Sequence, residues 1–236
     1  MKNVSFVIPS HNCAAWLPHA VDSVLRQDYR EVEAVIVDDA STDSTAEYLN
    51  WLRDPRVRVV RNPERLGRSA SRNIGNESAE GDIICVLDAD DLARPHRARM
   101  TAQKMGGAED LLLFGSAAVI DAVGTLVGEH RAEPFRLERA LAEGVNRIVH
   151  STVAYSRALA ARFPYESGDI ADLGIDDWAQ QLAAAQAGVR FDFIPGVVTD
   201  YRQLETGISA QRDEKKVQAA KAAFRARLAA PAGAAC

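Results

Sequence analysis

Cysteine is scarce in this chain. Cys13, Cys85 and Cys236 are few, odd in number and far apart, with no metal-ligand or redox spacing. That excludes a disulfide framework and points to free thiols in a reducing compartment. No window approaches the roughly 20 consecutive apolar residues that a membrane span requires. The N-terminus passes from Met1 and Lys2 almost directly into an apolar segment, without the charged leader and cleavage site of a signal peptide. Basic charge is short as well: 28 Lys and Arg stand against 33 Asp and Glu, a net charge of −5. A chain that gripped nucleic acid through its phosphates would carry a basic face, so no nucleic-acid partner is expected. A soluble, cytoplasmic protein is expected, and peripheral contact with the inner membrane face is compatible with this composition. There is no internal repeat and no linker long enough to separate independent domains.

What is present is an ordinary globular balance, 47% hydrophobic and 26% charged over 236 residues. Apolar runs and helical periodicities alternate through the first half. Val4 to Ile8 is apolar but for Ser5, as in a strand buried on both faces, and Pro9 ends it. Pro18 suits the first turn of a helix continued by Val21, Val24 and Leu25. Ala34 to Val37 is a second buried run. Ser44 and Glu47 have capping-box spacing before Leu49 and Leu52. Val57 to Val60 reads as a third strand, Gly67 to Ala79 as a loop entering a helix, and Ile83 to Leu87 as a fourth strand. Strands alternating with helices predict an α/β fold with a mostly parallel central sheet flanked by helices.

The second half is less regular. Strands are expected at Leu111–Phe114 and Ala117–Ile120, with a hairpin turn at Asp121–Gly124 before Thr125–Val127. Helices are expected over Leu137–Glu143, Asp176–Gln186 and Asp213–Ala230. Thr152–Tyr155, Phe191–Ile194 and Val197–Tyr201 read as strands, and Phe163–Gly174 as a polar loop. The organisation expected is one domain over 1–212, with a nucleotide-binding half (1–105) and an acceptor half (106–212). A C-terminal helix and frayed tail occupy 213–236.

Ligands of parallel sheets bind beyond the carboxyl ends of the strands. Here those ends carry Ser10-His11-Asn12, Asp38-Asp39 and Asp88-Ala89-Asp90-Asp91. Three carboxylates within four residues, directly after a strongly apolar strand, repel one another unless a cation intervenes. Oxygen-only ligation suits Mg²⁺ or Mn²⁺ bridging to substrate phosphates. The competing explanation is a turn and a helix N-terminus, where Asp is favoured. Asp39 is placed to accept hydrogen bonds from a nucleobase or ribose, whereas Ser41, Thr42 and Asp43 read as helix-capping residues. Asp176-Asp177-Trp178 combines an acidic pair with an aromatic at a helix start. It fits a general base beside a sugar-stacking ring, and it also fits simple capping.

Taken in order, these segments resemble family 2 glycosyltransferases of the GT-A fold. The resemblance rests on Val4 to Asn12, Val35 to Asp43, Gly67 to Asn73, Gly81 to Asp91, Asp176-Asp177-Trp178 and Tyr201-Arg202. It spans Val4 to about Ser209. The resemblance implies an inverting, metal-dependent transfer of a sugar from a nucleoside-diphosphate sugar, UDP by default, to an acceptor hydroxyl on a carbohydrate or lipid-linked substrate. Pro9, Ser10, Asn12, Asp39, Arg72, Asp88, Ala89 and Trp178 would bind substrate, with Asp39 on the base. Asp88 and Asp90 would hold Mn²⁺ or Mg²⁺, Asp91 would act only as a cap, and Asp177 would be the catalytic base. Arg68 and Arg72 would approach the donor or form surface salt bridges, and His150 would act as a structural hydrogen-bonding residue or face the acceptor. Relatives often place a His shortly after the Tyr-Arg pair, and here Gln203-Leu204-Glu205 follows instead. A non-catalytic nucleotide-sugar-binding subunit and a phosphorylation-receiver domain built on Asp38-Asp39 are the alternatives.

Overall fold

The computed structural model describes residues 3–144, 147–205 and 213–229. Its first half follows the apolar runs closely. Strands β1 (Val4–Ser10), β2 (Val32–Asp38), β3 (Val57–Arg61) and β4 (Ile83–Val86) pair in the order β3-β2-β1-β4, all parallel. β1 therefore has a parallel neighbour on each edge and helices over its faces. That placement is why Val4, Phe6, Val7 and Ile8 are all buried. Helix α1 (Leu17–Leu25) begins with Pro18 in its first turn and buries Leu17, Ala20, Val21 and Val24. Helix α2 (Thr45–Trp51) starts where the capping-box spacing suggests, but the Ser44 side chain makes no capping bond. Asp43 has taken that work, its Oδ1 accepting the Thr45 N–H at 2.9 Å. Helix α3 (Arg68–Ser78) packs on β1 and β2 at Gly75, where an added Cβ would run into Val7 Cγ1.

The same sheet continues as β4-β8-β6-β9-β5. It is built from β5 (Leu92–Ala93), β6 (Leu111–Ile120), β7 (Leu126–His130, paired with β6), β8 (Ala154–Ser156) and β9 (Arg190–Arg202). The remaining helices are α4 (Arg97–Met105), α5 (Leu137–Glu143), α6 (Arg157–Arg162), α7 (Asp169–Asp172), α8 (Asp176–Gln186) and α9 (Glu214–Ala229). The expected α/β class is observed, with parallel pairing in the first four strands and mixed pairing beyond β4.

Two expectations are corrected here. The strands split at Gly115-Ser116 and at Pro195-Gly196 are each one continuous strand, β6 and β9. Their parallel register runs Gly115↔Ile194 and then Ser116↔Val197, so Pro195 and Gly196 form a bulge. Pro and Gly read as breaks because both weaken a strand, yet a bulge accommodates both without ending the pairing. The segment 163–174 is not wholly a loop, since α7 lies within it.

Helix α9 closes α8 and α5. Phe224 lies 5.6 Å from the Trp178 ring. The Lys221 Nζ donates to the Gly144 carbonyl at 2.6 Å, and Arg225 donates to the Leu141 carbonyl. These cations satisfy carbonyls left unpaired at the end of α5. Cys13 and Cys85 are free thiols. Cys236 and the expected frayed tail lie outside the described residues. Among those residues no helix is long and apolar enough to cross a membrane.

Candidate active site

Parallel pairing puts the three polar strand ends side by side. Ser10 pairs with Asp38, and Val7 pairs with Val86 just before Asp88. The loops are sewn to one another. The Asp39 N–H donates to the Ser10 carbonyl at 2.8 Å. Asn12, in the left-handed region at φ 53°, accepts the Thr42 N–H at 2.8 Å on its Oδ1. Its own N–H donates to Ser41 Oγ. Pro9 sits within β1 against Val37, and the Ser10 hydroxyl is buried without a partner. Asp39 is buried, and Asn62 Nδ2 (2.8 Å) and the N–H groups of Leu66 (2.8 Å) and Gly67 (2.9 Å) all donate to its carboxylate. Burial pushes this carboxyl up, but those donors outweigh it and leave it below the usual range. Asp39 thus fixes the loop that leads into α3.

An open cleft of ≈ 420 Å³ lies beyond β4, lined by Arg68, Arg72, Asp88, His150, Asp177 and Tyr201 among others. Its floor is a chain of charges. Arg68 and Arg72, one helical turn apart on α3, both donate to Asp176, with Arg72 Nη1 at 2.7 Å. Arg72 Nη2 also reaches Asp88 Oδ1 at 2.6 Å. Arg72 and Asp176 are fully enclosed, whereas the Asp88 side chain stays 30% exposed. Burial would raise the Asp176 carboxyl, but Arg72 and Arg68 hold it well below the carboxylate range. Arg72 is therefore an interior ion-pair partner, whereas Arg68 stays 25% exposed at the cleft.

Asp177 opens α8 beside this chain and lines the cleft. Burial, and then the adjacent Asp176 charge, push its carboxyl above the usual value, against the opposing arginines. His150 is buried and points its Nε2 at the Tyr165 hydroxyl, 2.9 Å away, which meets the Tyr155 hydroxyl at 2.9 Å. Burial and then Arg72 bring the His150 imidazole down to about 3, so it is neutral at physiological pH.

The turn after β4 is held by Ala89, buried in the main core cluster, and by Asp91. Asp91 is not a helix cap: β5 follows it, and its Oδ1 accepts the Arg202 N–H at 2.7 Å. Arg202 Nε also donates to the Asp90 carbonyl, so Arg202 staples the acidic turn to β9. Burial and then the Asp88 charge raise the Asp90 carboxyl to about 6. Among the described residues no group of three or more His, Cys, Asp or Glu could hold a metal by itself. The Asp88 carboxylate, 30% exposed beside its bond to Arg72, and the neighbouring Asp90 carboxylate nonetheless fit a hard cation that keeps waters and takes further ligands from substrate phosphates.

Trp178 sits elsewhere than its sequence position suggested. It is buried against Phe224 with Lys221 over its ring, so its faces are covered and unavailable for stacking on a sugar in the cleft. Sequence reasoning missed Asp176 as the anchor of both arginines, and His130, Arg131, Glu133 and Arg147 as cleft residues. The i, i+4 spacing of Arg68 and Arg72 was the available signal for the first. The others sit where no periodicity marks them.

A family model described as Glycosyl transferase family 2 matches residues 5–163. The succinoglycan biosynthesis protein ExoO of Rhizobium meliloti (strain 1021) is 38% identical over 46% of this chain and 31% of that protein. The UDP-Glc:alpha-D-GlcNAc-diphosphoundecaprenol beta-1,3-glucosyltransferase WfaP of Escherichia coli is 36% identical over 39% of this chain and 36% of that protein. The chain thus spans about a third of the length of these two relatives. The crystal structure of S. aureus TarS 1–349 in complex with UDP-GlcNAc superposes with a TM-score of 0.75 at 19% identity. That superposition covers 94% of this chain and 66% of TarS 1–349 and shows a shared fold.

Proposed function

Because the chain belongs to glycosyl transferase family 2, we propose that it transfers a sugar, with inversion, from a nucleoside-diphosphate sugar to an acceptor hydroxyl. The observation that carries this reading is one cleft lined by both Asp88 and Asp177, with Asp88 tied through Arg72 to Asp176, the chain neighbour of Asp177. Asp88 belongs to the donor side, at the end of the parallel strands, and Asp177 to the acceptor side. Pro9, Ser10, Asn12 and Asp39 shape the neighbouring strand ends for the nucleoside, and Ala89 anchors the acidic turn.

In the reaction, the acceptor oxygen bonds to the anomeric carbon as the bond from that carbon to the diphosphate oxygen breaks. Asp177 takes the acceptor proton, and its raised carboxyl suits that role. Arg68 and Arg72 place positive charge along the cleft floor and keep Asp176 ionised beneath the base. Asp88 and Asp90 would hold Mn²⁺ or Mg²⁺, which when bound supplies charge neutralisation for the departing nucleoside diphosphate. UDP is the default nucleotide, and the acceptor is a carbohydrate or a lipid-linked glycan met in the cytoplasm or at the membrane face.

The direct test is a thermal-shift panel of UDP, GDP, ADP and dTDP with and without Mn²⁺ or Mg²⁺. Stabilisation by one nucleotide, strengthened by the cation and weakened in Asp90→Ala, is the expected result. No shift with any nucleotide would remove this reading.

A further inference from the structure

A second, smaller cavity of ≈ 50 Å³ lies between α5 and α8. It adjoins the cleft, since Glu133, Arg147 and Ile148 line both. Phe135, Ala140, Trp178 and Leu182 supply an apolar wall. Phe135 is fixed in that wall by stacking on Phe191 at 4.2 Å. Two nitrogens of lining residues have no hydrogen-bond partner: Trp178 Nε1 and Gln181 Nε2, on side chains 3% and 2% exposed.

Unpartnered buried donors cost stability, and a phenylalanine and a leucine would fill these places without that cost. The features make sense together if a visiting group brings an oxygen for the nitrogens and a methyl for the apolar wall. Size narrows that group. At ≈ 50 Å³ the cavity is far smaller than the ≈ 420 Å³ cleft it adjoins. That suits a substituent such as an acetamido group carried by a sugar seated in the cleft. Position narrows it further. Trp178 and Gln181 follow Asp177 along α8, and Glu133, Arg147 and Ile148 carry the rim of their cavity into the cleft that Asp177 lines. A group lodged there belongs to the molecule that gives its proton to Asp177.

We propose that this cavity binds the N-acyl group of the acceptor, which makes the acceptor an N-acetylated hexosamine glycoside. The proposal rests on the reading of Asp177 as the base. It returns Trp178 to substrate recognition through its indole N–H instead of through its ring face.

Saturation-transfer NMR of the full chain with Mg²⁺ and its preferred nucleoside diphosphate tests this. The probes are the methyl glycosides of N-acetylglucosamine, N-acetylgalactosamine and N-acetylmannosamine, each beside its non-acylated parent. At least one N-acetylated glycoside should saturate most strongly at its acetyl methyl and bind about tenfold tighter than its parent, a difference of about 1.4 kcal/mol. Trp178→Phe and Gln181→Leu should each erase most of that preference while leaving parent binding unmoved, with thermal melts confirming that both variants fold. Equal binding of acylated and parent sugars, or no acetyl-methyl signal from any, overturns the proposal. So does an effect of both variants confined to the acetyl group of UDP-N-acetylglucosamine compared with UDP-glucose, which would place the N-acyl group on the donor. Nucleotide binding in the same samples keeps the two readings apart. A bound nucleotide without acetyl preference removes only this cavity's assignment, whereas no nucleotide binding removes the base and the proposal with it.

Discussion

Asp176 and Asp177 are neighbours in the chain and opposites in charge behaviour. Asp176 faces inward onto Arg72 and Arg68, which hold it ionised, while Asp177 faces the cleft with its carboxyl raised by burial and by Asp176 itself. If Asp177 is the base, it acts only when deprotonated. Turnover should therefore fall as pH drops, with the acid limb lying above the ordinary carboxylate value near 3.9. A pH profile of kcat checks this, and Asp176→Asn, which removes a like charge from beside the base, should move the limb downward. The sequence offered Asp88, Asp90 and Asp177 because acids at strand ends and helix starts leave a visible pattern. It did not reveal that Arg72 ties Asp88 to Asp176, since those partners lie 16 and 104 residues away. Trp178 misled for a related reason. An aromatic next to an acid looks like a stacking surface until α9, far along the chain, is found covering it.

Among the elements, α3 does the most to assemble the site. Its Arg68 and Arg72 span from the loop fixed by Asp39 to α8, and its Gly75 lets it sit close on β1. Replacing Arg72 by Met keeps an unbranched apolar stem, removes the guanidinium and leaves Asp88 and Asp176 without their shared partner. Breaking a buried pair in this way typically costs about 3–5 kcal/mol, so Arg72→Met should lower the urea midpoint by a corresponding amount. The mixed half depends on another close approach. A Cβ on Gly115 would lie 2.5 Å from Val198 Cγ2, where β6 and β9 shift register. Gly115→Ala should cost about 1–3 kcal/mol through overpacking, read by thermal unfolding, and should loosen β9, whose end carries Tyr201 and Arg202. Apolar runs made the parallel strands legible. The bulge of Pro195-Gly196 opposite Gly115-Ser116 was not, because local sequence shows a weakened strand and not the partner that keeps it paired.

At the scale of the whole molecule, one sheet runs from β3 to β5 and brings a parallel half against a mixed half, with the cleft between β4 and α8. Such an arrangement suits a reaction in which two substrates meet, one from each half. It is unlike a receiver domain: the Asp39 carboxylate already serves as an anchor for the Asn62–Gly67 loop. A non-catalytic binding subunit differs from an enzyme in one respect that can be measured. Release of nucleoside diphosphate from the donor, with water or an added glycoside as acceptor and Mn²⁺ present, should proceed in the wild type and fall by about 10²–10⁴-fold in Asp177→Asn. That variant should still bind the nucleotide with near-native affinity. Release at the wild-type rate by Asp177→Asn would contradict the account.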